Sequence, residues 1–297
     1  MHSEKLRDDS IPSGTKGFRA AIREKVQIKG IGIHSGESAV LTIHPAESNT
    51  GLYFLVNKGK DTVTVSPENV VNTVQAVTLG NGTAIVQTIE HLLAALSVSG
   101  ITDAVLELNG NEVPIMDGSA WPYYEAIQTA GLTFFSDRVI PIEITTPVWV
   151  VEGDKYLVAL PHTANRITYS IDYNHPLLRG QSFSIDTDSE NFAAEILKAR
   201  TFGFYRDVEV MKAKGLIKGA SLENAVGLTE DGYLNESLRY EDECIRHKIL
   251  DLVGDLYLLN RPVRGRILAS RAGHKLDVEL AMKISLIHSR NEVSGRI

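Results

Sequence analysis

The chain has 297 residues, 43% of them hydrophobic and 23% charged, and carries a net charge of −7. That length fits one large or two medium domains with a sizeable core, and the negative charge, with no Lys/Arg run interleaved with aromatics, excludes an electrostatic footprint for nucleic acid. A single cysteine, Cys244, excludes internal disulfides and a cysteine-built zinc site; it fits a reducing compartment and reads as a small packed apolar residue.

The chain opens on MHSEKLRDDSIPSGTKG, a polar stretch expected to form a flexible arm over 1–17. It has no apolar segment for a signal peptide, and no run in the chain approaches the ~18–20 apolar residues of a membrane span. A cytoplasmic protein without a transmembrane segment is expected. From 18 to 44 the pattern predicts two strands in a hairpin, joined by GIGIHSG at 30–36. Those glycines could cradle a phosphate, but no P-loop lysine follows, so a turn is the better reading, and His34 stays ambiguous. Short strands follow at 52–56, 62–65, 76–79 and 83–87, the last two joined by Gly80-Asn81-Gly82. Thr88 then reads as the N-cap of a helix over 89–98, which sets Glu90 and His91 in its first turn. There the helix dipole favours an ionised Glu90 and a neutral His91, the forms wanted for a general base and a metal ligand. A hairpin is expected from the strand at 103–108 through Asn109-Gly110 to 113–119. Asp117-Gly118-Ser119 reads as a turn that caps a helix at 120–130.

The pattern restarts near 134–139 with strands at 140–151, 155–159, 167–173 and 182–186 and a helix at 190–199. Boundaries are therefore expected at 18–138 for a first domain and 139–287 for a second, with a polar tail at 288–297. Both follow a sheet-then-helices order without a sequence repeat, which predicts two tightly packed α+β domains of antiparallel or mixed sheet rather than a doubly wound parallel sheet. A charged helix at 207–214 ending at Gly215 suggests an insertion. The stretch 239–259 is apolar on most of its circumference and should be buried, yet His247, Asp251 and Asp255 stack along one face with Lys248 beside them, because i, i+4 and i+8 share a stripe. A buried stripe of this kind needs partners, as an ion-pair network or as a metal site. A strand at 265–270 and a helix at 273–287 with His274 in its first turn close the chain.

If His91 joins His247 and Asp251, two imidazoles and a carboxylate leave a fourth tetrahedral position for water, as in catalytic zinc sites. Glu90 then stands beside a ligand as an acid able to take a proton from that water, and His274, with Asp255 to hold it, is the residue left to serve the leaving group. Another zinc amidase or esterase acting on a nucleotide sugar, and a non-catalytic binding protein, fit the same stripe; Glu90 argues against the second.

At 18–287 the chain resembles the zinc-dependent UDP-3-O-acyl-N-acetylglucosamine deacetylases of lipid A biosynthesis. The motifs that carry the likeness are GIGIHSG at 30–36, TIEHLLAAL at 88–96, EVPIMDGSA at 112–120, IDYNHP at 171–176, ARTFGF at 199–204, RYEDECIRHKILDLVGDL at 239–256 and AGHKLD at 272–277. The resemblance implies a cytoplasmic Gram-negative enzyme, expected as a monomer, that removes acetate from the glucosamine nitrogen of a UDP-linked, 3-O-acylated sugar. It implies one zinc, or Fe(II), held by His91, His247 and Asp251, with Glu90 as general base and His274, held by Asp255, as the electrostatic or acid residue. Thr201 would bind the oxyanion and Lys248 the diphosphate. An insert with Phe202 and about 204–221 would build a passage for the acyl chain, and Tyr173 would stack on uracil. The active site is expected between the two domains.

Overall fold

Alternating apolar residues turn into half-buried strands in both halves of the chain: Leu52–Val56 buries every second residue, and so does Arg166–Ile171. The computed structural model describes residues 17–293 and the short strand Lys5–Leu6. The rest of the expected arm, and residues 294–297 of the expected tail, lie outside the described residues. The helices are α1 (Glu90–Ser99), α2 (Trp121–Ala130), α3 (Phe192–Ile196), α4 (Val208–Ala213), α5 (Glu243–Leu256) and α6 (His274–Val293).

The first half forms a five-stranded sheet in the order Val26–Ile31, Ser38–His44, Ala104–Asn109, Leu52–Val56, Asp61–Thr64. The second repeats that plan as Val148–Glu152, Lys155–Leu160, Arg266–Ser270, Arg166–Ile171, Gln181–Asp186. In each, the last strand in sequence enters the middle, antiparallel to the second strand and parallel to the third. In each, that strand is reached through a helix, α1 or α5, and left into another, α2 or α6. A parallel neighbour requires such a crossover, since a tight turn can join only antiparallel strands. The fold is α+β with mixed sheets. α5 and α6 cover the second sheet, α2 lies against α1, and α1 packs face to face with α5, so one apolar core runs through both halves.

Several elements differ from the sequence reading. Phe18–Ile22 is not half of the first hairpin; it pairs with Leu132–Arg138, and the hairpin is Val26–Ile31 with Ser38–His44. No hairpin runs from 103 to 119, because Ala104–Asn109 already has a partner on each edge and the returning chain makes only an isolated bridge, Gln87 to Glu112. The stretch 140–151 is broken into Ile142–Glu143, which pairs with Val263–Arg264, and Val148–Glu152. α6 runs on past Ile287 to Val293. α3 is shorter than 190–199, because the residues after it are claimed by tertiary hydrogen bonds: the Ala199 carbonyl accepts from His247 and Arg200 N–H donates to Glu243.

Candidate active site and metal centre

α1 has no solvent face over most of its length: Glu90 through Leu96 are all buried. Its partner is α5, and the two cross at a point without a side chain. A Cβ on Gly254 would lie 2.0 Å from the Glu90 carbonyl oxygen, so only glycine permits this backbone approach. The crossing lays the first turn of α1 on the stripe of α5 that bears His247, Asp251 and Asp255. Thr88 does not cap α1. It sits at φ 59° and turns its hydroxyl to Glu112 Oε1 at 3.0 Å, while the Glu90 side chain takes the Val77 N–H at 3.1 Å.

The structure brings His91, His247 and Asp251 together. His247 Nδ1 donates to the Ala199 carbonyl at 3.0 Å; a carbonyl only accepts, so Nδ1 carries a proton and Nε2 is the ring nitrogen turned into the site. His247 Nε2 lies 3.2 Å from Asp251 Oδ1 and His91 Nε2 3.7 Å from the same oxygen. Asp251 Oδ2 accepts from Lys248 Nζ at 2.7 Å, but Oδ1 has no hydrogen-bond partner among the described residues although it is buried. One ligand atom from each of the three lies within 4.8 Å of the others. Burial, then His247, holds His91 down to about 3, so it stays neutral. Burial opposes ionisation of Asp251, but His247 and Lys248 outweigh it and hold the carboxyl well below the usual carboxylate range. An imidazole held neutral, a second that presents Nε2, and an otherwise unsatisfied anionic oxygen are a donor set for a divalent cation of the zinc type.

Glu90 stands next to that set, wholly inside the protein, and burial pushes its carboxyl up to about 7. His274, at the start of α6, turns Nδ1 to Asp255 Oδ2 at 2.7 Å, which leaves Nε2 as its free edge. Thr201 lies two residues after Ala199, its backbone pinned by Gly118 and Val226, in the segment that orients His247. Arg200 anchors this segment through three hydrogen bonds to Glu243 on α5. Phe202 lies edge-on to Tyr173 and, at 6.3 Å between centroids, to His247; Phe204 joins the cluster, giving an apolar wall beside the site. Tyr173 is thus engaged with Phe202 and Phe204, and Lys248 is turned inward, its ammonium on a metal-site carboxylate.

The sequence reading missed Glu112 and Asp277. Glu112 is buried and accepts from the backbone N–H groups of His34 and Ser35 at 2.8 Å each, fixing the GIGIHSG loop, with Gly32 leaving room for its carboxylate. The same loop takes the Lys218 and Gly219 N–H groups on the carbonyls of His34 and Ile33, which ties it to the segment after α4. His34 is nearly buried beside the site, and burial lowers its proton affinity. A loop of this kind carries no local signal for the distant acid that holds it. Asp277 had one: it lies three residues after His274, on the same helical face.

A family model described as UDP-3-O-acyl N-acetylglycosamine deacetylase matches residues 19–285. Among curated relatives, a protein of Leptospira biflexa serovar Patoc is 54% identical over 279 residues, 93% of this chain and 92% of its own. One of Geotalea uraniireducens is 41% identical over 88% of this chain and 86% of its own, and one of Thermodesulfovibrio yellowstonii 39% identical over 90% and 91%. All three are named UDP-3-O-acyl-N-acetylglucosamine deacetylase. With a match across nearly all of its length and the two histidines, aspartate and adjacent glutamate assembled at one crossing, the chain belongs to the UDP-3-O-acyl-N-acetylglucosamine deacetylase family.

Proposed function

We propose that the chain hydrolyses the N-acetyl group of UDP-3-O-(3-hydroxyacyl)-N-acetylglucosamine and releases acetate, using one zinc ion held by His91, His247 and Asp251. On this reading the reaction runs in the cytoplasm of a Gram-negative cell, as the committed step of lipid A biosynthesis, and the chain works as a monomer. No described helix is long and apolar enough to cross a membrane. The observation that carries the proposal is the buried Asp251 Oδ1, which faces two imidazole nitrogens and no donor, with Glu90 beside it. The metal, when bound, supplies a Lewis acid for the amide carbonyl and acidifies water.

The protein's own groups divide the remaining work. Glu90, ionised, takes a proton from the attacking water; a cation at the neighbouring ligands favours that form against the burial that opposes it. The Thr201 hydroxyl donates to the developing oxyanion, and His274, protonated, offsets its charge and delivers the Nε2 proton to the departing glucosamine nitrogen. Asp255 holds Nδ1–H and so aims that edge. The wall of Tyr173, Phe202 and Phe204 offers an apolar lining for the acyl chain, an aromatic face for the base, or both.

The test is metal content together with acetate release. His247→Ala and Asp251→Ala are expected to lose the metal. Glu90→Gln should keep it and lose turnover by about 10²-fold or more. A Glu90→Gln protein that folds but lacks metal would make Glu90 a ligand and overturn the division of roles. Metal analysis of protein purified without oxygen separates zinc from Fe(II), which suits the same ligands.

A further inference from the structure

Asp277 is wholly buried on α6, and neither of its carboxylate oxygens meets a donor among the described residues. The same is true of Oδ1 of Asp255, whose Oδ2 is taken by His274. One oxygen of each carboxylate and a ring nitrogen of His274 lie within 4.8 Å of one another. An unmet buried acceptor is costly and an unpaired buried charge more so. None of these three oxygens has a lysine or arginine to satisfy it. A single proton held between the two acids removes one charge and gives each a hydrogen bond.

We propose that Asp277 is a positioning residue for the deacetylation: its carboxyl and that of Asp255 share one proton, and the pair, carrying one negative charge, holds His274 by its Nδ1–H. The proposal rests on the function proposed above. Burial, with Asp255 next, pushes Asp277 up to about 8, and burial followed by Asp251 pushes Asp255 well above the carboxylate range. Asp251 and Lys248 face the pair from α5, His274 from α6, Tyr169 from the strand Arg166–Ile171, and Glu90 faces Asp255 from α1. The charge of the pair decides what His274 can do. One negative charge balances one imidazolium, whereas two would leave an uncompensated charge buried in the protein. When His274 passes its Nε2 proton to the departing nitrogen, its Nδ1–H stays on Asp255 and the shared proton stays between the acids, so nothing leaves the pair.

Two variants that keep the branched outline of the aspartate separate this role from packing, with the Tm of each controlling for the larger volume of leucine. Asp277→Asn replaces the shared proton with an amide N–H and is expected to keep metal content and KM, with kcat within a few-fold of the parent. Asp277→Leu has no donor and is expected to lower kcat about 10–100-fold, the usual scale for losing such a support, with metal content and KM unchanged. Equal loss in both variants, or parental kcat in Asp277→Leu, would overturn the proposal. An independent readout is infrared spectroscopy of the metal-loaded chain carrying ¹³C in its aspartate carboxyls. At neutral pH an isotope-shifted carboxylic-acid stretch is expected in the parent and is expected to vanish in Asp277→Asn and in Asp255→Asn; its absence from the parent removes the shared proton. If the parent releases no acetate while that stretch is present, it is the deacetylase reading that fails and not the acid pair.

Discussion

Lys248 brings an ammonium into a buried site and gives it to Asp251 Oδ2, leaving Oδ1 to face the histidines. This hydrogen bond fixes which oxygen of the ligand is free, so Lys248→Met is expected to weaken metal binding about 10–100-fold, the range for supports of metal ligands. Competition with a chelator measures it. Unchanged metal affinity with a raised KM would assign the lysine to the substrate's diphosphate instead. The candidate ligand set was legible from sequence, because helical spacing alone stacks His247, Asp251 and Asp255 and because a histidine beside a glutamate in a first turn has a defined electrostatic setting. What orients them was not. The Ala199 carbonyl on His247 lies 48 residues away in the chain, and Val77 on Glu90 lies 13 away. No local pattern encodes either.

Among the elements, the crossing of α1 and α5 is sensitive to a single methyl group. Adding one methyl by Gly254→Ala puts a carbon 2.0 Å from the Glu90 carbonyl oxygen and 3.1 Å from its Cα. The helices must separate, and overpacking of this kind destabilises by about 1–3 kcal/mol. The same displacement moves His91 away from His247 and Asp251, so both Tm and metal affinity are expected to fall, while far-ultraviolet circular dichroism stays helical. Parental Tm and metal content together would mean that the contact is slack. Most helices and strands were legible because they follow local periodicity. The misreadings came where distant chain intervened: Thr88 serves Glu112 rather than the helix end, Phe18–Ile22 finds Leu132–Arg138, and Ala104–Asn109 is claimed on both edges before Asn109-Gly110 can form a hairpin.

For the molecule as a whole, the buried acids set how stability depends on pH when the metal is stripped. In the unfolded chain Glu and Asp lose their protons near ~4 and His near ~6.5. The folded chain keeps a proton on Glu90 to about 7 and on Asp277 to about 8, both raised by burial. Between about 4 and 8 these acids give the folded state more protons than the unfolded one, and their contribution to stability falls as pH rises, by about 1.4 kcal/mol per unit for each proton still held. The Tm of the metal-free chain is expected to be lower at pH 8 than at pH 6.5, with a shallower slope in Asp277→Asn; a flat profile would show that neither acid is held protonated. His91 acts on the other side: held to about 3, it stays neutral in the fold where the unfolded chain takes up a proton, which erodes stability as pH falls below about 6.5. The two five-stranded sheets share one plan, and α1 and α5 occupy equivalent places in it. Had two identical copies of one half met at that crossing, whatever residue stood on one side would have stood on the other, and the proposed base and the proposed acid could not each have had a side to itself. Joining two unlike halves in one polypeptide removes that constraint, so Glu90 and the Asp255–His274 pair can each be tuned alone.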